Sequence, residues 1–326
     1  MDNIRSLLIF LVVIGHFFEI SGSLKIRYLT EFIYSFHMPV FVFISGYFAK
    51  FHPKRIFIGY IYPYVLLQLI YNVFTKYYLN GASNIFIMSM PQFTLWYLLA
   101  MAFYCMLIPF ITTNKAVLRW IVFAISAVVS IISGFNTGIE YSFAMGRFFT
   151  FLPFFVAGHY AKDIALAEKI QGMRIGIKSV CAALLAIAVV VVETVILKSK
   201  TVGLNELYGV FAYVKTGDTW HLRVFLMVVG FVWIGFLLFS IPNIKVPLLT
   251  VVGQNTFPIY IFHGFFIKIL MKNNITHMSA LHFFIVTALI SVVIVLVFGN
   301  KIGSAVAKWG FTGHWITALI DKAKEK

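Results

Sequence analysis

Ten apolar runs, most of them about twenty residues long, constrain the fold of this chain more than any other feature of its sequence. A helix of that length crosses a hydrocarbon core of about 30 Å, whereas a membrane barrel shows alternating strands of about ten residues. The sequence therefore predicts an all-α polytopic membrane bundle with about ten transmembrane helices. The sixth run is short and the ninth is interrupted at Pro258; the runs lie near residues 4–20, 29–49, 55–79, 93–112, 117–133, 147–161, 176–197, 221–240, 250–271 and 279–299.

Composition excludes a water-soluble globular protein, because 61% of the 326 residues are hydrophobic and only 11% are charged. The net charge of +15 is spread over lysines and arginines in short loops and is not gathered on a soluble module. We therefore interpret these residues as topology determinants and expect a lipid bilayer, and no nucleic acid, as a partner. With the N-terminus placed in the cytoplasm, 16 of the 26 basic residues fall on that side, which predicts a multi-pass protein of the cell membrane with both termini cytoplasmic.

The chain is predicted to consist of one transmembrane domain, residues 1–300, and a basic amphipathic cytoplasmic tail, residues 301–326. Residues 198–218, placed outside, combine carboxylates with aromatic rings, which suits a sugar and equally a wet membrane interface. Cys105 and Cys181 lie in apolar runs without the spacing of a zinc site or a disulfide framework. The tail places apolar residues near helical spacing among lysines, as interfacial helices do; these are Ile302, Val306, Trp309, Ile316 and Ile320.

The first run, NIRSLLIFLVVIGHFFEI at residues 3–20, carries the strongest candidate for chemistry. On a helix, Arg5 and His16 lie within about 20° of one face and roughly 16 Å apart along the axis. Glu19 follows His16 at i+3, close enough to hold one ring nitrogen and bias the tautomer of the other, which prepares a general base. The alternative is that Arg5 anchors the topology and His16 only packs between helices. Ionisable residues this deep in a membrane helix are expensive and mark functional sites, which favours catalysis.

Other candidates lie on three further runs. His37, in FHMPVFVFISGYF, falls at a depth similar to that of His16, so the two rings can share a cavity. His263, in the ninth run, falls at a comparable depth. Three histidines can hold a metal, but no HxxxH pair supports such a site and we expect no metal. Arg147, at the outer edge of the sixth run, is placed to bind an anionic group or an oxyanion.

Taken together, an ordered set of motifs resembles the membrane acyltransferase 3 family, and within it the branch related to fucose 4-O-acetylases. The set covers nearly the whole chain: Arg5 and His16 separated by ten residues in a run ending LVVIGHFFE, then FHMPVFVFISGYF, LWYLLAMAFYCML at 95–107, GRFFTFLPFFVAGHYAK and GQNTFPIYIFHGFF. The resemblance implies an acyl-CoA-dependent O-acetyltransferase. Such an enzyme moves an acetyl group from cytoplasmic acetyl-CoA to a hydroxyl of an extracytoplasmic polysaccharide or lipid-linked sugar. Transfer is completed within the membrane domain or through a separate extracytoplasmic acyl-accepting partner.

The residues and the resemblance together assign the candidate roles. His16 acts as general base or transient acyl carrier, with Glu19 and Arg5 as the other catalytic residues. The chain has no glycine-rich phosphate loop, so donor phosphates need basic side chains, for which we choose Arg5, Lys54 and Arg55. Ser45 is also typical of close helix packing. The rival hypothesis is a transporter or flippase with a buried His/Arg relay. The predicted substrate-binding residues are His37, Ser45, Tyr47, Trp96, Arg147, Asn255 and His263.

Overall fold

The computed structural model describes residues 1–81, 84–199, 202–217, 219–241, 244–273, 275, 278–313 and 315, and within these residues it contains helices and no strand. Four helices are short: Ser142–Ala144, Leu166–Gln171, Leu204–Leu207 and Tyr213–Thr216. The longer segments are α1 (Asp2–Glu19), α2 (Leu24–Phe48), α3 (Pro53–Tyr78, with two π-helical stretches), α4 (Trp96–Ile111), α5 (Ala116–Ser133), α6 (Met145–Asp163), α7 (Ile175–Lys198), α8 (Trp220–Ser240), α9 (Pro247–Gln254), α10 (Thr256–Lys272), α11 (Ala280–Phe298) and α12 (Lys301–Phe311).

The predicted all-α class is confirmed, and each of the ten apolar runs coincides with a helix or a helix pair. The number of transmembrane helices is not confirmed. In the described part of the chain, six helices are long and apolar enough to cross a membrane: α2, α3, α5, α7, α8 and α11. α4 is shorter, with 16 residues, and α1 carries three charged side chains at its ends.

The ninth apolar run is broken at Asn255 and not at Pro258, so the predicted interruption exists but its position was wrong. α9 ends at Gln254, and Asn255 donates a side-chain hydrogen bond of 2.7 Å to the Val251 carbonyl oxygen. Pro258 is the third residue of α10. In a first helical turn the missing proline N–H removes no helical hydrogen bond, and for that reason the proline does not break the helix.

α1 lies inside the bundle, packed against α2, α9, α10 and α11. Its Leu8, Val13 and Phe17 side chains are fully buried. α2 and α6 make a second close pair through glycines. A Cβ atom on Gly46 would overlap the Phe155 carbonyl oxygen, because the two backbones approach as closely as small residues allow in membrane bundles. These contacts fix the position of α1 relative to α2 and of α2 relative to α6.

The tail begins as predicted with a helix, α12, whose Asn300 cap accepts a 3.0 Å hydrogen bond from the Gly303 amide. Ile302, Val306 and Trp309 are exposed on it. Ile316, Ile320 and the last three lysines lie outside the described residues. The division at residue 300 and the orientation in the membrane stay predictions, so the two faces of the bundle are named here by their residues, the Arg5 end and the Glu19 end.

Candidate active site

His16 and Glu19 form a hydrogen-bonded pair one turn from the end of α1. The His16 Nδ1 atom lies 3.1 Å from Glu19 Oε2, which confirms the predicted contact. An ionised carboxylate only accepts hydrogen bonds, so Nδ1 carries the hydrogen and Nε2 is left with a free lone pair. His16 is thus arranged as a base whose tautomer is set by Glu19 on the same helix.

Two tyrosines from other parts of the chain also bind the Glu19 carboxylate. Tyr34, on α2, donates to Glu19 Oε2 at 2.6 Å, and its hydroxyl oxygen lies 2.6 Å from His16 Nδ1. Tyr208, in the segment 202–217, donates to Glu19 Oε1 at 2.6 Å. Burial and the neighbouring Glu19 carboxylate raise the pKa of Tyr208, so its hydroxyl stays a donor. Sequence reasoning missed Tyr34, although it precedes His37 by three residues and so shares its helix face, and it placed Tyr208 only among the aromatic residues of 198–218.

His37 and His263 surround His16, as their predicted depth implied. Their ring centroids lie 6.5 and 5.5 Å from that of His16. Each donates Nδ1–H to the carbonyl oxygen four residues earlier, at 2.8 Å for His37 and 3.0 Å for His263. His263 Nε2 is buried and has no hydrogen-bond partner among the described residues. In that same part of the chain, no group of three or more His, Cys, Asp or Glu side chains is arranged to hold a metal ion.

Phe93 also packs against His16, with ring centroids 5.0 Å apart. Its φ of +48° is in the left-handed region, which a bulky side chain rarely occupies. Backbone strain of this kind clusters at functional sites. The geometry around His16 is therefore held by both side-chain and backbone constraints.

A cavity of about 600 Å³ opens at the Arg5 end. Arg5, Lys50 and Arg55 line it, so three positive charges face one space. Lys54 is exposed and lies outside this lining, where Lys50 stands in its place. Arg5 also lies 3.7 Å from Asp2, and the side chains of this pair are each 30% exposed, so water weakens their attraction.

A second, narrow space of about 20 Å³, which His16 lines, adjoins this cavity. The two spaces share three aromatic wall residues, Phe41, Tyr97 and Tyr260, and His16 lines the narrow one. Arg5 and His16, which the helix rise places about 16 Å apart, therefore line two neighbouring spaces that share an aromatic wall.

Trp96 and Arg147 lie next to each other near the Glu19 end of the site. Trp96 lines the narrow space, and the Arg147 guanidinium carbon lies 4.9 Å from the Trp96 ring. Arg147 Nε donates to the Tyr208 carbonyl oxygen at 3.2 Å. Trp96 therefore shares a space with His16, and Arg147 is connected to Glu19 through Tyr208.

The remaining predicted residues lie away from His16. Tyr47 donates to Glu168 at 3.0 Å and lines a separate cavity of about 590 Å³. Ser45 donates to the Phe41 carbonyl oxygen at 2.8 Å and lines the basic cavity. Asn255 lies at the α9–α10 break, where its side chain donates to the Val251 carbonyl oxygen.

Residues 1–299 match the family model of an acyltransferase domain, that of the acyltransferase 3 family. No curated protein and no solved structure matches the chain. The matched stretch covers every helix from α1 to α11 and so includes all the residues of the site.

Proposed function

The chain belongs to the acyltransferase 3 family, and from that membership we propose that it is an acyl-CoA-dependent O-acetyltransferase acting on an extracytoplasmic polysaccharide or lipid-linked sugar. The observation that most supports this proposal is that the basic cavity and the narrow space lined by His16 share an aromatic wall. A transferase that works across a membrane needs a donor entrance on one side of its base and an acceptor entrance on the other. The basic cavity is the candidate for the donor entrance.

The donor fits the Arg5 end. Coenzyme A carries several phosphate charges on its nucleotide and a long, slender thioester arm. Arg5, Lys50 and Arg55 supply cations for the phosphates, and guanidinium groups pair bidentately with phosphate. In this proposal the slender arm passes between Phe41, Tyr97 and Tyr260 to bring the thioester carbonyl next to His16, while the nucleotide stays in the wide cavity.

The chemistry follows from the orientation of His16. Nε2 takes the proton of the acceptor hydroxyl as its oxygen bonds to the thioester carbonyl carbon. The carbon–sulfur bond then breaks, and the leaving sulfur takes the proton back from Nε2–H to give the free thiol and the new ester. Glu19 stabilises the imidazolium formed in between, and Tyr34 and Tyr208 hold the carboxylate in place. In a covalent variant of this route, Nε2 itself carries the acyl group between the two substrates.

The orientation that goes with this function places the Arg5 end in the cytoplasm. An impermeant thiol reagent should label Lys200→Cys in intact cells and should not label Lys324→Cys; both residues lie outside the described part of the chain. Labelling of Lys324→Cys alone would reverse the assigned orientation.

Purified protein with acetyl-labelled acetyl-CoA tests the function against the transporter hypothesis. An acyltransferase consumes the thioester and moves the label to a saccharide or to water, and His16→Gln abolishes this loss. A transporter or flippase leaves the thioester intact in the wild type. Intact thioester after prolonged incubation with a mixed glycan acceptor pool would contradict the proposal.

A further inference from the structure

Arg147 is held by three aromatic rings at the Glu19 end of the bundle. Its guanidinium carbon lies 4.9 Å from the Trp96 ring, 5.9 Å from the Tyr208 ring and 6.0 Å from the Tyr141 ring. Its Nε–H is used in the bond to the Tyr208 carbonyl oxygen. Aromatic faces and one anchoring bond fix the plane of the guanidinium, and fixing it lowers the entropy lost when a ligand binds.

The positive charge of Arg147 has no ion-pair partner among the described residues. The nearby carboxylates are already used, since Glu140 pairs with Lys215 and Glu19 accepts from His16 and the two tyrosines. Neither Nη group of Arg147 donates a hydrogen bond to a described residue, and the side chain is only partly buried. A guanidinium has five N–H donors, so four remain for a ligand.

A second arginine at the Glu19 end, Arg223, uses its Nη groups for hydrogen bonds within the protein. Arg223 also lies 4.9 Å from an aromatic ring, that of Tyr213. Its Nη groups, however, donate to the carbonyl oxygens of Ser130 and Phe211 and to the Ser133 hydroxyl. Arg223 therefore ties α5 and α8 to the segment 202–217. Arg147 makes only one such bond, to the Tyr208 carbonyl oxygen, so it connects fewer elements than Arg223 does.

The place of Arg147 ties it to the reaction. Trp96 lies between Arg147 and the narrow space that His16 lines, and Tyr208 connects Arg147 to Glu19. Arg147 is thus near the reacting groups at the Glu19 end, where the proposed function puts the acceptor. A cation without an ion-pair partner at that place favours an anionic ligand, because the guanidinium then gains a charge-assisted hydrogen bond.

We propose that Arg147 is an anion-recognition subsite, so that the preferred acceptor is a saccharide bearing a carboxylate or a phosphate near the hydroxyl that is acylated. The inference rests on the proposed acyl transfer and specifies its acceptor class. The guanidinium fork pairs bidentately with either oxyanion, whereas a neutral sugar leaves its donors unpaired. We expect kcat/KM for an anionic acceptor to exceed that for its neutral isostere by on the order of 10- to 100-fold.

Two matched pairs of acceptors test this subsite and identify the source of the charge. The first pair is a nitrophenyl glucuronide and the corresponding glucuronamide, which differ only by the carboxylate. The second pair is a farnesyl-phosphate-linked sugar and the same sugar linked to farnesol without phosphate. Preference for the charged member of the first pair assigns a carboxylate, and preference within the second assigns a phosphate.

Variants then connect the preference to the residue. In folded protein, Arg147→Lys should reduce the anionic-to-neutral ratio of kcat/KM, and Arg147→Gln should bring it near one. Arg223→Lys is the matched control and should leave the ratio as in the wild type. Thioester consumption without preference for either anionic acceptor, or a ratio unchanged in Arg147→Gln, would overturn the subsite while acyl transfer stands. Absence of thioester consumption in the wild type would instead overturn the proposed function.

Discussion

Replacement of Glu19 by glutamine isolates the contribution of its charge to the base. The side chain keeps its size and can still accept from His16 Nδ1, 3.1 Å away, but it no longer stabilises an imidazolium. Two opposite charges about 4 Å apart interact by about 4 kcal/mol at an effective dielectric constant of about 20. The Glu19 side chain is 25% exposed, so screening lowers this figure and we take about 2 to 4 kcal/mol. The rate should therefore fall by about 30- to 1000-fold.

Single-turnover transfer of labelled acetyl groups, measured across pH, detects this loss. Glu31→Gln is the matched control, since Glu31 is a buried carboxylate on α2 that pairs with Arg27 at 2.8 Å and not with a histidine. A Glu19→Gln rate within twofold of the wild type would refute the assigned role of the carboxylate.

Three further substitutions test the basic cavity, the Tyr34–Glu19 hydrogen bond and the α2–α6 packing. Arg5→Lys should raise the KM for acetyl-CoA by about tenfold in steady-state assays, because lysine lacks the bidentate fork, and an unchanged KM would leave Arg5 as a topology anchor. Tyr34→Phe should lower kcat by about tenfold in the transfer assay, since it removes the hydroxyl from Glu19; full activity would exclude a positioning role. Gly158→Ala should destabilise the fold, because its Cβ would overlap the Phe43 carbonyl oxygen, whereas Gly176→Ala points into open space and serves as control. Equal melting temperatures for the two variants in detergent would contradict the close α2–α6 packing.

Local patterns in the sequence predicted the parts of this structure that depend on near neighbours. The apolar runs give the helices, because burial of about twenty apolar residues in lipid leaves the helix as the structure that satisfies the backbone. The His16–Glu19 pair follows from an i, i+3 spacing on one helix. The common depth of His37 and His263 followed from their positions along their runs.

Helix rotation and long-range contacts could not be predicted in this way. Tyr208 binds a carboxylate 189 positions away, so only tertiary structure brings the two together. Tyr47 was grouped with Ser45, yet it faces Glu168 because residues two apart on a helix point in different directions. The break in the ninth run was predicted at Pro258, but a proline in the first turn does not interrupt a helix. The break lies at Asn255, between the end of α9 and the start of α10.

The most direct test of the central proposal is the rate of thioester consumption by His16→Gln protein that folds and inserts normally. Glutamine keeps the polarity of the site but has no titratable nitrogen, and loss of a general base lowers rates by about 10²- to 10⁴-fold. We predict that transfer of labelled acetyl from acetyl-CoA to a saccharide falls below detection in this variant. Transfer at the wild-type rate would make His16 a structural residue and pass the catalytic assignment to His37 or His263.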